Sequence, residues 1–195
     1  MLHAHGPVWS AASFALAATA MMSVMMAPTV GPWVVAFHRL ARGPNAALGG
    51  AWSTALFAVG YLAAWLAFAI VVAFARIVVA MPAGWGGALL IGAGLYQLSP
   101  LKQACLTHCR SPFSFLLARW KDGPRPALAL GFAHGVYCLG CCWALMLTMF
   151  VAGLASGWWM AALAAVTFAE QVAPFGARLR VPIGIALIAM GVWRW

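Results

Sequence analysis

Apolar residues along this chain run in unbroken blocks, and the blocks are separated by short clusters of Arg, Lys, Pro and Gly. About 20 consecutive apolar residues suffice to carry a helix across the hydrocarbon core of a bilayer. The pattern predicts helices from Trp9 to Val30, Gly50 to Ala75, Ala83 to Ser99, Ala127 to Phe150 and Trp158 to Ala169, and a closing run from Val181 to Trp195. The closing run would be roughly 22 Å long as a helix, short for a full crossing. The fold class is therefore all-α: a polytopic transmembrane helix bundle of five full spans plus a shorter sixth, in one integral membrane domain over residues 1–195. The opening MLHAHGPVW has no basic start, and no small-residue cleavage site closes the run behind it. It reads as a solvated tail, His3 and His5 included, before a retained helix.

Composition agrees. The chain is 66% hydrophobic and 7% charged, with Asp122 and Glu170 its two acids, which leaves too little polar surface for a soluble domain. The net charge of +9 is explained by topology. With the amino terminus outside, the connections after the first, third and fifth runs hold Arg39, Arg42, Lys102, Arg110, Arg119, Lys121, Arg125, Arg178 and Arg180, and Arg76 and Arg194 stay outside. Cytoplasmic loops are enriched in Lys and Arg, so residues 100–126 are expected to form a cytoplasmic loop of a multi-pass protein in the bacterial inner membrane. The lipid bilayer is then the partner that basicity and apolarity imply, and nucleic acid is excluded. No Gly-rich phosphate loop and no paired carboxylates appear, so hydrolase and nucleotide-binding readings have little to stand on.

The chemistry concentrates in HGVYCLGCCWALMLTM, in the fourth run. On a helix, His134, Cys138, Cys142 and Met146 recur every four residues, with Cys141 and Met149 beside the same stripe. Cys and Met also serve as ordinary core filler. Three Cys within five positions, flanked by His and Met, point instead to a soft cation: Cu(I) first, with Zn possible through Cys and His. A second group, Met21, Met22, Met25 and Met26, forms two i, i+4 thioether pairs before Pro28, where the first helix is expected to bend or end. Pro100 and Pro112 bracket a third, in which Cys105, His108 and Cys109 are expected to face one way from a short water-facing helix. Lys102 and Arg110 beside them should lower the thiol pKa values.

MMSVMMAP is similar to the MxxxM arrangement of high-affinity copper uptake channels. Over nearly its whole length the chain resembles bacterial integral membrane proteins known as predicted metal-binding, through MMSVMMAP, YQLSPLKQACLTHCRSP, HGVYCLGCCWALM and the region of Glu170. The resemblance implies that Met21, Met22, Met25, Met26, Cys105, Cys109, His134, Cys138, Cys141 and Cys142 are candidate metal ligands. It also implies a Lys directly after the acid of the fifth run, where this chain has Gln171, a departure that weakens the claim of an ion pair there.

The reading that follows is a membrane protein binding Cu(I) for transport, delivery or insertion into a membrane enzyme, with a membrane metalloenzyme or a metallochaperone as partner. The alternative is a membrane thiol-disulfide oxidoreductase using Cys138 and Cys141 as a CxxC pair. Haem binding by His134 and a second His, from His38 or His108, is a third. The most speculative expectation is that the Met group and the Cys group close one site. Gly131 and Gly135 would let the first and fourth helices touch, yet the Met group, late in its helix, would lie nearer the cytoplasmic face.

Overall fold

A computed structural model describes residues 7–42, 49–78, 85–149 and 157–194. The tail with His3 and His5, the loop at Gly43 and Pro44, the turn at Met81 and Pro82 and the turn at Gly153 lie outside the described residues. Those residues form eight helices and no strand: α1 Pro7–Leu40, α2 Gly50–Val78, α3 Trp85–Leu98, α4 Pro100–Cys109, α5 Pro112–Arg119, α6 Pro124–Leu147, α7 Gly157–Val172 and α8 Gly176–Trp193. Four of them, α1, α2, α6 and α8, are long and apolar enough to cross a membrane.

Two boundaries differ from the apolar pattern in ways that matter. α1 does not end near Val30 but continues for 34 residues with Pro28 and Pro32 inside it. Each proline removes one backbone donor. Both point outward from the bundle, while Met22, Met25, Met26, Thr29, Trp33, Ala36 and Phe37 keep an unbroken buried stripe. The Met group consequently sits in the middle of α1. The closing helix starts at Gly176, takes in Arg178 and Arg180, and reaches 18 residues, so it is among the four long helices. α3 and α7 have 14 and 16 described residues.

Glycine registers set the packing. On α6, a Cβ at Gly131 would run into the backbone of Phe57, and one at Gly135 would lie 2.7 Å from Ala64 Cβ, so α2 and α6 run parallel in close contact. Those glycines therefore admit α2 rather than α1. On α3 and α8, Gly94 meets Gly184 and Gly87 meets Gly191, an antiparallel pair in which a Cβ at Gly191 would lie 2.7 Å from the Gly87 carbonyl. α1 lies antiparallel on α2: His38 Nδ1 is 2.9 Å from Thr54 Oγ1 at one end, and Ala15 and Ala18 pack with Ala69 and Ala73 toward the other.

The segment expected to be a loop, residues 100–126, holds α4 and α5. Ser99 caps α4 by accepting from the Lys102 backbone N–H at 3.2 Å, and Pro100 opens it. Lys102, Leu106 and Cys109 share its buried face, against α6. Gly123, with φ of 123°, then turns the chain into α6, a backbone that only glycine takes without strain.

Candidate metal centre

The centre is built on one stretch of α6. The Sγ atoms of Cys138, Cys141 and Cys142 lie within 4.8 Å of one another, and all three residues are buried. The helix itself gathers them: the Cys141 thiol donates to the Cys138 carbonyl at 3.1 Å and the Cys142 thiol to the same oxygen at 2.9 Å. That back-bonding to the preceding turn folds neighbouring side chains onto one spot. Tyr61 of α2 brings its hydroxyl to 3.5 Å from Cys138 Sγ, and Gln171 of α7 donates to Cys141 Sγ at 3.4 Å.

α4 adds a fourth sulfur. Cys109 is buried with its Sγ 3.8 Å from that of Cys141. Cys105, one turn earlier and half-buried, sits over Gly140, where a Cβ would come within 2.6 Å of its Sγ. Tyr96 donates to the Gly140 carbonyl from α3. All five cysteines are free. The expectation of two water-facing thiols is thus corrected, because the inward face of α4 packs against α6. The Cys105 thiol is pushed up rather than down, by burial first and then by the charge of Cys141. His108 is corrected too. At i+3 from Cys105 it falls to the side of the stripe, exposed, stacked on Tyr137 at 4.6 Å and bonded through Nδ1 to the Ala104 carbonyl at 2.8 Å.

The methionines join from two sides. Met22, Met25 and Met26 of α1 and Met146 and Met149 at the end of α6 belong to one buried cluster with Tyr61, Trp65, Cys109 and the three α6 cysteines, and Met21 packs on its edge. α1 reaches α6 through side chains, as in the stack of Trp33 on His134 at 3.8 Å. The Met group lies midway along α1 rather than late in it. His134, a turn before Cys138, is buried but lies outside the group of three sulfurs. Its ring stacks on Trp33 at 3.8 Å and faces Tyr61 at 5.6 Å, and its Nδ1 has no hydrogen-bond partner among the described residues. His38, also considered for haem, is at the carboxyl end of α1, its Nδ1 2.9 Å from Thr54 Oγ1.

Beside the sulfurs lies a buried polar group that sequence reasoning missed. Lys102 is 0% exposed and Glu170 2%, and Lys102 Nζ contacts Glu170 Oε2 at 2.6 Å. Lys102 Nζ also donates to Gln97 Oε1 at 2.5 Å, and Gln97 Nε2 donates to Glu170 Oε1. An ion pair therefore does exist at the end of α7 although Gln171 follows the acid, because the cation comes from α4. Lys102 is accordingly a buried, paired charge and not a loop charge. Two sequence signals point to this group: Lys102 falls on the helical stripe of Cys105, Leu106 and Cys109, and Glu170 is a lone acid in an apolar helix, which calls for a partner.

A family model described as PpoB2, copper chaperone, matches residues 15–194. The chain belongs to the PpoB2 copper chaperone family. The match covers α1 from Ala15 through α8, so the Met group, the α4 thiols, the α6 thiols and the Lys102–Glu170 pair all lie within it. No curated protein and no solved structure matches the chain. The donor set suits the cargo that the family's description names: several sulfurs and no carboxylate in the group of three, the softest set that protein side chains can offer.

Proposed function

We propose that this protein is an inner-membrane copper carrier that holds Cu(I) on sulfur in the interior of its helix bundle and passes it to a membrane metalloenzyme or a metallochaperone. The single observation that carries the reading is the convergence of the three α6 thiols within 4.8 Å, with Cys109 of α4 at 3.8 Å from Cys141. Cu(I) takes few, soft ligands, so two or three of these sulfurs suffice at any moment and the rest stand ready for exchange. The half-buried Cys105 and the buried Cys109 make a stepped approach to Cys141. Met22, Met25 and Met26 supply neutral thioethers to which the ion can move without a further buried charge. Stepwise exchange of this kind requires each position to hold the ion firmly enough to accept it and loosely enough to release it. The thioethers favour Cu(I) over Zn, which prefers a closed tetrahedral set of Cys and His. The amino terminus faces outside and α4 and α5 lie toward the cytoplasm, in keeping with Arg119, Lys121 and Arg125 there.

The test is Cu(I) titration of protein purified anaerobically in mild detergent, competed against a chromogenic Cu(I) chelator. Tight copper binding with all thiols reduced, lost in Cys138→Ser/Cys141→Ser/Cys142→Ser, supports the reading; equal binding by that variant overturns it. The approach of Cys109 to Cys141 favours a second reading, a membrane thiol-disulfide oxidoreductase. Reversible formation of that disulfide during turnover, with no copper retained, would select it.

A further inference from the structure

The thiols create an electrostatic problem that the buried polar group can solve. One Cu(I) on two thiolates carries a net negative charge, and a third thiolate doubles it, in a setting where an uncompensated charge is costly. Among the described residues Lys102 is the cation with a fully buried side chain. It projects from the same face of α4 as Cys109, whose Sγ lies 3.8 Å from that of Cys141. The backbone around the pair is tied to the sulfurs. Gln171 follows Glu170 in sequence and donates to Cys141 Sγ at 3.4 Å. Arg110 follows Cys109 and donates to the Glu170 carbonyl at 2.6 Å.

We propose that Lys102 is the counter-charge of the copper–thiolate site, and that Glu170, by partly neutralising it, keeps the site weak enough to release its cargo. Lys102 is thus an affinity-setting residue that touches no copper. A simple clip between α4 and α7 would need the same three side chains, but it would not make the same prediction. If the pair only fastens two helices, cutting either half loosens the site. If it sets charge, the two halves act in opposite directions. Glu170→Gln, nearly isosteric, leaves Lys102 uncompensated and tightens Cu(I) binding. Lys102→Met leaves Glu170 unopposed and weakens it. At an effective dielectric constant near 20, a unit charge on the order of 10 Å from the site is worth about tenfold in affinity. The double variant returns toward wild type.

The inference rests on the copper reading above, and the experiment separates the two. Cu(I) affinities are measured by competition with bathocuproine disulfonate, anaerobically in detergent, for wild type, Glu170→Gln, Lys102→Met, the double variant and the triple Cys→Ser variant, each checked for monodispersity. Opposite shifts in the two single variants, with binding lost in the triple variant, are expected. Shifts of the same sign, or no shift, overturn the counter-charge while leaving the copper reading intact. Undiminished binding by the triple variant overturns the copper reading itself. Should Lys102→Met fail to purify as a single species, Glu170→Gln decides alone: tightening supports the counter-charge, and unchanged or weaker binding overturns it.

Discussion

Gly140 is where the seating of α4 on α6 can be tested most directly. A methyl group there would lie 2.6 Å from Cys105 Sγ and 3.3 Å from Cys105 Cβ. Ordinary non-bonded carbon contacts fall near 3.5–4.0 Å, so Gly140→Ala must displace the Cys105 sulfur by about 1 Å and the Cys105 Cβ, with α4, by a few tenths of an ångström. Rotation of the Cys105 side chain relieves the sulfur but not the Cβ, so part of the displacement falls on the helix. Overpacking of this kind costs about 1–3 kcal/mol. The same movement would carry Cys109 away from Cys141, now 3.8 Å apart, while leaving the three α6 thiols where their own helix holds them. The assay is thermal unfolding in detergent together with the rate of Cu(I) uptake from a chelated donor, for Gly140→Ala, Cys105→Ala and the pair. Gly140→Ala should melt at lower temperature and load more slowly. Adding Cys105→Ala removes the sulfur from the clash and should restore most of the stability, with a coupling of about 1 kcal/mol or more. Two results would refute the reasoning: a Gly140→Ala protein as stable as wild type, or strictly additive effects in the pair.

Two further outcomes follow from the same geometry. His134→Phe keeps the stack on Trp33 and removes a buried ring nitrogen with no partner among the described residues, so melting temperature should be unchanged or slightly higher and Cu(I) affinity should stay within about threefold of wild type; a tenfold loss would place His134 among the ligands. Asp122→Cys, exposed beside the start of α6 and studied in a background lacking the native cysteines, should resist an impermeant thiol reagent applied from the periplasmic side of intact cells, and rapid labelling would reverse the proposed orientation.

What the sequence determined by itself was set by composition and local spacing. Long apolar blocks favour helices, because a backbone shielded from water must satisfy its own hydrogen bonds, and the four helices long and apolar enough to cross a membrane lie on such blocks. The clustering of Cys138, Cys141 and Cys142 was equally legible, since residues three and four apart on a helix share a face whatever surrounds them. Everything that depended on a partner helix was not. Pro28 read as a bend or an end, but it and Pro32 face outward, and packing of the opposite stripe against α2 and its neighbours carries α1 on to Leu40. Gly131 and Gly135 announce a close approach without saying by which helix, and the complementary surface at Phe57, Tyr61 and Ala64 chose α2. Lys102 looked like a loop charge and became a buried one because Glu170, 68 residues away in sequence, meets it at 2.6 Å. Local periodicity encodes which side chains share a face; tertiary packing alone decides what that face meets, because the free energy of a buried charge or a missing Cβ resides in the neighbour.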